Sequence, residues 1–311
     1  MLDRRRAADG LGWPVMPADY FVRPMTAADV ADVERLTDEA YVDLDVRTRR
    51  TGWPAPTRRS VERSDLWRAR AAHLVATDPR GCWVAEDGSG LLGVAMSMRR
   101  DLTWLLASYA VRPGLQGRGV GRRVLDPALQ HGSACLRGMV AASDDPRAVR
   151  HYRLAGFTLH PTMLLRGRVP RAVLPVVERV REGSLGDLDL MNSVDRQVRD
   201  AAHGPDHTVL AGTHRLLVVD RPTGSGYAYV PPEGGAHLLA ATSRRAAGDL
   251  LWESLAASSP QVEVTLAHVS AANQWALDVG MACRLELWTH GYLGLRGMKP
   301  PAPYLHSGYF L

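Results

Sequence analysis

Residues 104–125 constrain the fold of this chain more than any other stretch. A β-prone apolar run from Trp104 to Val111 breaks at Arg112-Pro113-Gly114, and the glycine-rich sequence Gln116-Gly117-Arg118-Gly119-Val120-Gly121 follows. The pattern predicts a strand, a glycine-rich turn and a helix that begins near Val120. Backbone N–H groups at such a helix start have no partner inside the helix and lie at the positive end of its dipole. We therefore expect an anion site here, suited to a pyrophosphate.

Several features of this loop favour phosphate binding over a purely structural turn. Glycines allow phosphate oxygens to approach the backbone, and Arg118 and Arg122 add positive charge. A dinucleotide fingerprint needs a third glycine where Arg122 stands, and a P-loop needs a Gly-Lys-Ser/Thr sequence, which the chain lacks. A loop that serves only as a turn is the alternative.

The hydrophobic pattern of residues 20–165 predicts the element order β-α-α-β-β-β-α-β-α-β. A capping box formed by Thr26 and Asp29 starts the first helix, which we expect to end near Tyr41. The Arg- and Pro-rich segment 47–60 is typical of a loop.

The second half of the chain repeats this pattern weakly. A second capping box occupies 184–187, a second hairpin spans 216–230, and two further strand-helix pairs follow. Residues 243–248, the counterpart of the glycine-rich loop, carry side chains whose Cβ atoms would keep phosphates from the backbone. We therefore expect two similar domains joined by a linker near 166–176, of which only the first holds the anion site.

Composition limits the classes of partner. The chain has 311 residues, enough for two domains, and no apolar run long enough to span a bilayer. Its net charge is +5, but the arginines are spread over both halves without a basic run, so we do not expect nucleic acid binding. Three scattered cysteines (Cys82, Cys135 and Cys283) and the lack of an apolar leader predict a cytoplasmic protein with free thiols.

Two histidines raise the question of a metal site. His203 and His207 have the spacing of two ligands on one helix face, but Gly204 and Pro205 between them argue against a helix. No convincing third ligand lies close by in sequence, so we predict no metal.

Two motifs resemble those of the GNAT superfamily of N-acyltransferases. The sequence from Gln116 to Gly121 matches the Q/R-x-x-G-x-G/A acyl-CoA motif, and the stretch from Asp145 to Phe157 resembles the motif that follows it. The resemblance covers roughly residues 19–168. It implies an α/β (α+β) protein of two tandem GNAT-like domains, each a mixed, mostly antiparallel sheet flanked by helices. The expected division is a tail over 1–18, a catalytic domain over 19–168 and a degenerate domain over 169–311.

The resemblance also implies roles for individual residues. Acetyl-CoA or another acyl-CoA would be the co-substrate, and backbone groups of 108–111 would face its pantetheine and thioester. Tyr152 would protonate the leaving thiolate, since a phenol of pKa roughly 10 can donate to a thiolate whose acid is near 8.5. Ser108 is a second catalytic candidate, and the second half has Ala276 in place of Tyr152. The expected cofactor-binding residues are Tyr109, Ala110, Val111, Gln116, Gly117, Arg118, Gly119, Val120, Gly121, Arg122 and Asp145.

The sequence does not assign the base that takes the proton of the amine. The candidates are Ser108, Glu86, Asp43, Asp45, His151, a water chain and the terminal carboxylate at Leu311. In the family, the segment containing Trp53 and Trp67 usually forms the acceptor pocket, with Trp83 nearby. The acidic residues beside these tryptophans, Asp43, Asp45 and Glu62, could attract a cationic amine.

The sequence therefore predicts an N-acyltransferase that moves an acetyl or other short acyl group from acyl-CoA to a primary amine of a small molecule. Acylation of a protein N-terminus or lysine is a further possibility. Alternatives from other classes are a tRNA-dependent aminoacyl or acyl transferase and a non-catalytic acyl-CoA sensor. We expect a monomer or homodimer without membrane contact.

Overall fold

The structure, a computed structural model, describes residues 20–51 and 53–311, and the predicted tail over 1–18 lies outside the described residues. The strands are β1 (Phe21–Pro24), β2 (Cys82–Asp87), β3 (Gly90–Arg100), β4 (Thr103–Val111), β5 (Arg137–Ala142), β6 (Thr158–Gly167), β7 (Arg181–Glu182), β8 (Arg215–Val219), β9 (Gly226–Val230), β10 (Leu238–Ala241), β11 (Val264–Ser270), β12 (Glu286–Arg296) and β13 (Tyr304–Leu305). The α-helices are α1 (Val30–Thr48), α2 (Val61–Thr77), α3 (Val120–His131), α4 (Pro146–Leu154), α5 (Leu188–Arg199), α6 (Asp206–Ala211), α7 (Arg244–Ala256) and α8 (Gln274–Ala282).

Within these described ranges the strands form two sheets. The larger sheet has eight strands in the order β1-β2-β3-β4-β5-β12-β6-β11, and the smaller has five in the order β13-β10-β9-β8-β7. Neighbouring strands are antiparallel except β4 and β5, which are parallel. The mixed, mostly antiparallel sheets with flanking helices confirm the expected fold class.

The two halves of the sequence repeat one element order but share a sheet. The series from β7 to β12 follows the same order of strands and helices as the series from β1 to β6. Strand β12 nevertheless lies between β5 and β6 of the first half and pairs with both, and β11 pairs with β6 at the edge. The division at 168/169 stays a prediction, and the strands on either side of it belong to one hydrogen-bonded sheet.

Helix α1 is longer than the sequence pattern indicated. It continues past Tyr41 to Thr48, into the segment expected to be a loop. The extra turns are supported by an i,i+4 ion pair from Arg47 Nε to Asp43 Oδ2 at 3.0 Å and by the Thr48 hydroxyl, which donates to the Leu44 carbonyl. This extension carries Asp43 and Asp45 on a helix rather than on a loop.

The hydrophobic core also crosses the boundary between the halves. One cluster joins α1, α2 and the first sheet to α5 and the second sheet, and it includes the buried side chains of Phe310 and Leu311. A second cluster lies under α3 and α4, and a third under α7 and α8. The first cluster places the helix pair α1–α2 between the two sheets.

Candidate active site

Strands β4 and β5 separate in the middle of the larger sheet. Their pairing begins with Thr103 opposite Arg137 and ends with Leu106 opposite Val140. Beyond Leu106, β4 continues to Val111 without β5. The register between β3 and β4 shifts immediately afterwards, leaving Ala107 as an extra residue in β4. Such a bulge bends a strand and ends its pairing. Among the described residues, no strand pairs with 108–110 on the side that faces β5, so this edge is open to a ligand.

The separated end of β4 carries two predicted site residues on opposite faces. Ser108 is buried, and its Oγ lies 3.0 Å from the Tyr41 hydroxyl of α1. Tyr109 lies on the other face, where its hydroxyl is 3.0 Å from His151 Nδ1 and its ring centroid is 6.2 Å from that of Tyr152. The structure therefore brings the predicted strand and the predicted tyrosine together.

Tyr152 is buried beside the separated end of β4. Its side chain is buried, and its hydroxyl has no hydrogen-bond partner among the residues that the structure describes. Burial raises the pKa of Tyr152 well above its usual value, and the neighbouring Tyr109 and Tyr41 add to this effect. The phenol is therefore protonated at neutral pH, and its hydrogen is available to a bound ligand.

The glycine-rich loop has the conformation that the sequence predicted. Gly117 and Gly119 have φ values of +80° and +88°, which side chains other than glycine rarely adopt. A Cβ at either position would meet no atom within 4 Å among the described residues. Gly119 is the N-cap residue of α3, so no N-cap side chain accepts a hydrogen bond from the first N–H groups of the helix. The first turn of α3 also contains no acidic residue. The space beside these two glycine Cα atoms is therefore open among the described residues, which would let an anion approach the helix start.

Two loop residues, Gln116 and Gly121, have contacts within the chain that shape the loop. Gln116 Oε1 accepts from the Gly114 N–H at 3.0 Å, and its Nε2 donates to the Val111 carbonyl at 3.1 Å, which fixes the turn. A Cβ at Gly121 would lie 2.3 Å from the Tyr109 hydroxyl, so glycine is needed for α3 to pack on β4. Their assignment to direct cofactor contact stays a prediction.

The charged residues expected at the cofactor site differ in availability. Arg122 is 79% exposed and has only a distant ion pair with Asp126, 3.8 Å away. Asp145 caps α4 by accepting from the Arg147 N–H at 2.9 Å and pairs with the Arg147 guanidinium at 2.8 Å. Burial opposes its ionisation, but the Arg147 hydrogen bonds outweigh burial and lower the pKa of Asp145. Asp145 thus positions α4, the helix that carries Tyr152.

The candidate bases are in different environments. Glu86 is held by Arg23, Asp43 pairs with Arg47, and His151 bonds to Tyr109. Asp45 forms no ion pair among the described residues. Partial desolvation by the surrounding protein raises the pKa of the Asp45 carboxyl. The nearby His290 on β12 has the smaller, opposite effect and lowers it.

The second half lacks the features of this site. Ser243 caps α7 with its own side chain, which accepts from the Ala246 N–H at 3.3 Å. Ala276 is buried where the first half has Tyr152. Strand β10 is the counterpart of β4 in the second half. Strand β13 pairs along β10, with Leu239 opposite Leu305, and so covers the edge that corresponds to the open edge of β4.

His203 and His207 do not share one helix, but they do come together with a third residue. His203 Nδ1 is 2.8 Å from Asp195 Oδ2, and His207 Nε2 is 3.3 Å from the same oxygen. All three side chains are buried, and their donor atoms lie within 4.8 Å of one another. The sequence pattern missed this group because α6 begins only after Pro205, so tertiary packing and not helix spacing brings the histidines together.

Hydrogen bonds hold Asp195 and His203 in this buried group, whereas His207 Nε2 has no hydrogen-bond partner among the described residues. Asp195 Oδ2 accepts from both the backbone N–H and the ring of His203, and Oδ1 accepts from the Tyr227 hydroxyl at 2.5 Å. The arrangement ties α5 to β9 and to the segment before α6. The absence of a metal stays a prediction.

The splayed strand pair thus lies beside a glycine-rich helix start in a mixed α/β fold. Residues 40–157 match the model of the acetyltransferase (GNAT) family. Over residues 40–157 the chain is therefore similar to the GNAT family, and acyl transfer from acyl-CoA is the activity that this match supports.

Solved structures share the fold beyond the matched segment. A candidate acetyltransferase from Pyrococcus horikoshii is 16% identical, with a TM-score of 0.72 over 98% of this chain and 99% of that one. A GCN5-related N-acetyltransferase from Sphaerobacter thermophilus is 12% identical, with a TM-score of 0.56 over 94% and 100%. One from Kribbella flavida is 14% identical, with a TM-score of 0.55 over 89% and 70%. At these identities the similarity shows the fold.

No curated protein matches the sequence significantly. Among the described residues, no helix is both long enough and apolar enough to cross a membrane.

Proposed function

We propose that this protein transfers an acetyl or other short acyl group from acyl-CoA to the primary amine of a small molecule. The observation that carries the proposal is the free edge of 108–110, which lies between the open glycine loop at α3 and the unpartnered hydroxyl of Tyr152. The degenerate character of the second half is part of the proposal, since its loop and strand edge are occupied by its own side chains and by β13.

Acyl-CoA fits this arrangement from one end to the other. The pyrophosphate would accept hydrogen bonds from N–H groups at the start of α3, beside the positive-φ glycines Gly117 and Gly119. The pantetheine would lie along the free edge of β4. The thioester would then reach the level of Ser108, where the two strands diverge.

The transfer requires three events at the thioester. A neutral amine attacks the carbonyl carbon, and backbone N–H groups of 108–111 stabilise the oxyanion that forms. The C–S bond then breaks, and Tyr152 donates its proton to the leaving thiolate. The attacking nitrogen loses its extra proton to Asp45 or to water at the same opening, and Tyr152 is reprotonated from solvent.

A thiol-release assay with acetyl-CoA and a panel of small amines tests the proposal. Amine-dependent release of CoA that is unaffected by RNase supports it. Acetyl-CoA binding without release on any amine would indicate a sensor instead, and release that requires charged tRNA would indicate the tRNA-dependent alternative.

A further inference from the structure

A row of side chains leads from the separated strand to α2. Ser108 contacts Tyr41, and the Arg59 guanidinium lies 5.7 Å from the Tyr41 ring centroid and 5.2 Å from that of Trp67. The Arg70 guanidinium also lies over Trp67, 5.4 Å from the centroid of its ring, at the end of the row away from Ser108. The row therefore connects the expected position of the thioester to Arg70.

Arg70 stacks on an aromatic ring and has no carboxylate partner among the described residues. Its guanidinium stacks over the Tyr309 ring at 3.7 Å, and it forms no ion pair with a carboxylate in the described part of the chain. Arg59, by contrast, pairs with Glu34 at 3.1 Å. The charges that act on Arg70 include the positive Arg59, and burial lowers the pKa of the Arg70 guanidinium. The local electrostatics therefore favour an added negative charge.

The geometry of the two rings limits what Arg70 can bind. Trp67 and Tyr309 contact the guanidinium through their aromatic faces, which attract a cation but accept no in-plane hydrogen bonds. The planar fork of N–H donors matches a carboxylate, which can accept two parallel hydrogen bonds. One carboxylate also balances the single charge of Arg70.

The opposite end of the row carries a negative charge. Asp45 follows Tyr41 by four residues on α1 and so lies on the same helix face, one turn further on. It forms no ion pair among the described residues. A molecule along this row would therefore meet Asp45 near its amine and Arg70 at its far end.

We propose that the acceptor is an amine that also carries a carboxylate, and that Arg70 binds this carboxylate. This inference rests on the proposed function for the position of the amine. It assigns Arg70 a specificity role that neither the sequence motifs nor the similarity to other proteins provides.

Isothermal titration of the CoA-loaded enzyme with product analogues tests the assignment. The probes are N-acetylglycine, N-acetylphenylalanine and N-acetylleucine, each compared with its amide, which lacks the carboxylate charge. We expect at least one acid to bind about tenfold or more tightly than its amide. Arg70→Met should abolish the difference, and Arg70→Lys should keep part of it. Arg63→Met, on an exposed position of the same helix, is the matched control and should leave the difference intact.

Several results would overturn the assignment. These are equal binding of acids and amides, no binding of any acid, or an unchanged preference in Arg70→Met. If Arg70 served only to hold Tyr309, Tyr309→Leu and Arg70→Met would lower the melting temperature alike, without any acid preference in the parent protein. Titration of the free enzyme with acetyl-CoA is a separate arm, because its failure would refute the proposed function and not the carboxylate site.

Discussion

Single residues in this site take their chemical character from neighbours that are distant in sequence. Burial raises the pKa of Tyr152, and the neighbouring Tyr109 and Tyr41 add to this effect. Tyr41 reaches Ser108 across 67 positions of sequence. A motif can therefore nominate Tyr152, but the residues that set its pKa and the row leading to Arg70 are visible only in the folded chain.

Tyr152→Phe tests the role of the phenol. The substitution removes the only hydroxyl that we place at the leaving thiolate, so we expect kcat to fall by roughly 10²-fold, the lower end for general acid catalysis. The Kd for acetyl-CoA should stay nearly constant, because the ring is retained. Stopped-flow thiol release and acetyl-CoA titration measure the two quantities.

Tyr109→Phe is the matched control for this variant. It also removes one phenol from the same aromatic group, and it loses the bond to His151. We expect a smaller decrease in kcat. Full turnover by Tyr152→Phe would rule out the acid role.

At the scale of elements, the loop before α3 and its counterpart before α7 show how one fold produces an open site and a closed one. The first loop uses positive-φ glycines and leaves the helix start uncapped, whereas the second caps its helix with Ser243. The sequence indicates this difference in glycine content and capping, because both are local properties. It did not predict that β13 covers β10, because strand pairing depends on tertiary position.

Gly119→Glu tests the loop as a phosphate site. The carboxylate would occupy the open space before α3 and repel the pyrophosphate, so acetyl-CoA binding should weaken by more than about tenfold, or 1.4 kcal/mol. Isothermal titration checks the affinity. Circular dichroism checks that the variant is folded, since a non-glycine residue is strained at this φ.

Gly248→Glu in α7 is the control for the second half. A Cβ there also meets no atom within 4 Å among the described residues. Acetyl-CoA affinity should not change, since the second half is not expected to bind it. Unchanged affinity in Gly119→Glu would refute the placement of the cofactor.

Buried side chains attach β13 to the rest of the second half. The Tyr304 N–H donates to Asn273 Oδ1 at 2.9 Å, and Asn273 Nδ2 donates to the Pro301 carbonyl at 3.1 Å. Asn273→Ala leaves these backbone groups buried without a partner, which should lower the free energy of unfolding by about 1–3 kcal/mol. Urea denaturation measures the change. The exposed neighbour Gln274→Ala should change it by less than about 0.5 kcal/mol, and equal effects of the two variants would contradict this account.

At the scale of the whole molecule, buried charges join the two halves. Arg100 of β3 donates to Asp206 of α6 at 2.6 Å and to Asp78 at 2.8 Å, and His73 Nε2 lies 2.8 Å from Asp206. Arg100, Asp78 and Asp206 are buried, and His73 is half-buried. Together with the shared sheet, it makes the halves mutually dependent for stability.

Arg100→Met tests this dependence. The variant leaves two carboxylates buried without their cation, which should reduce the free energy of unfolding at pH 7 by about 3–5 kcal/mol. Arg215→Met, which breaks an exposed pair with Glu182, should cost less than about 1 kcal/mol. Urea denaturation measures both.

The effect of Arg100→Met should depend on pH. Burial opposes ionisation of Asp206, but hydrogen bonds from His73 and Arg100 outweigh it and lower the pKa of the carboxyl. A lowered pKa contributes stability above the carboxyl's unfolded pKa, and this contribution is lost as pH falls through the folded pKa. The gap between parent and variant should therefore be largest near neutral pH and shrink in acid. A gap that is constant over this range would contradict the electrostatic explanation.

The sequence alone determined the local features of this protein. Glycine spacing set the loop before α3, capping residues set the helix starts, and hydrophobic periodicity set the element order, because each depends on residues within a few positions of one another. The tertiary structure decided which strands share an edge and which side chains meet. The insertion of β12 between β5 and β6, the meeting of Tyr41 with Ser108 and the stacking of Arg70 on Tyr309 all join residues far apart in sequence. Such contacts follow from packing the whole chain, and no local pattern encodes them.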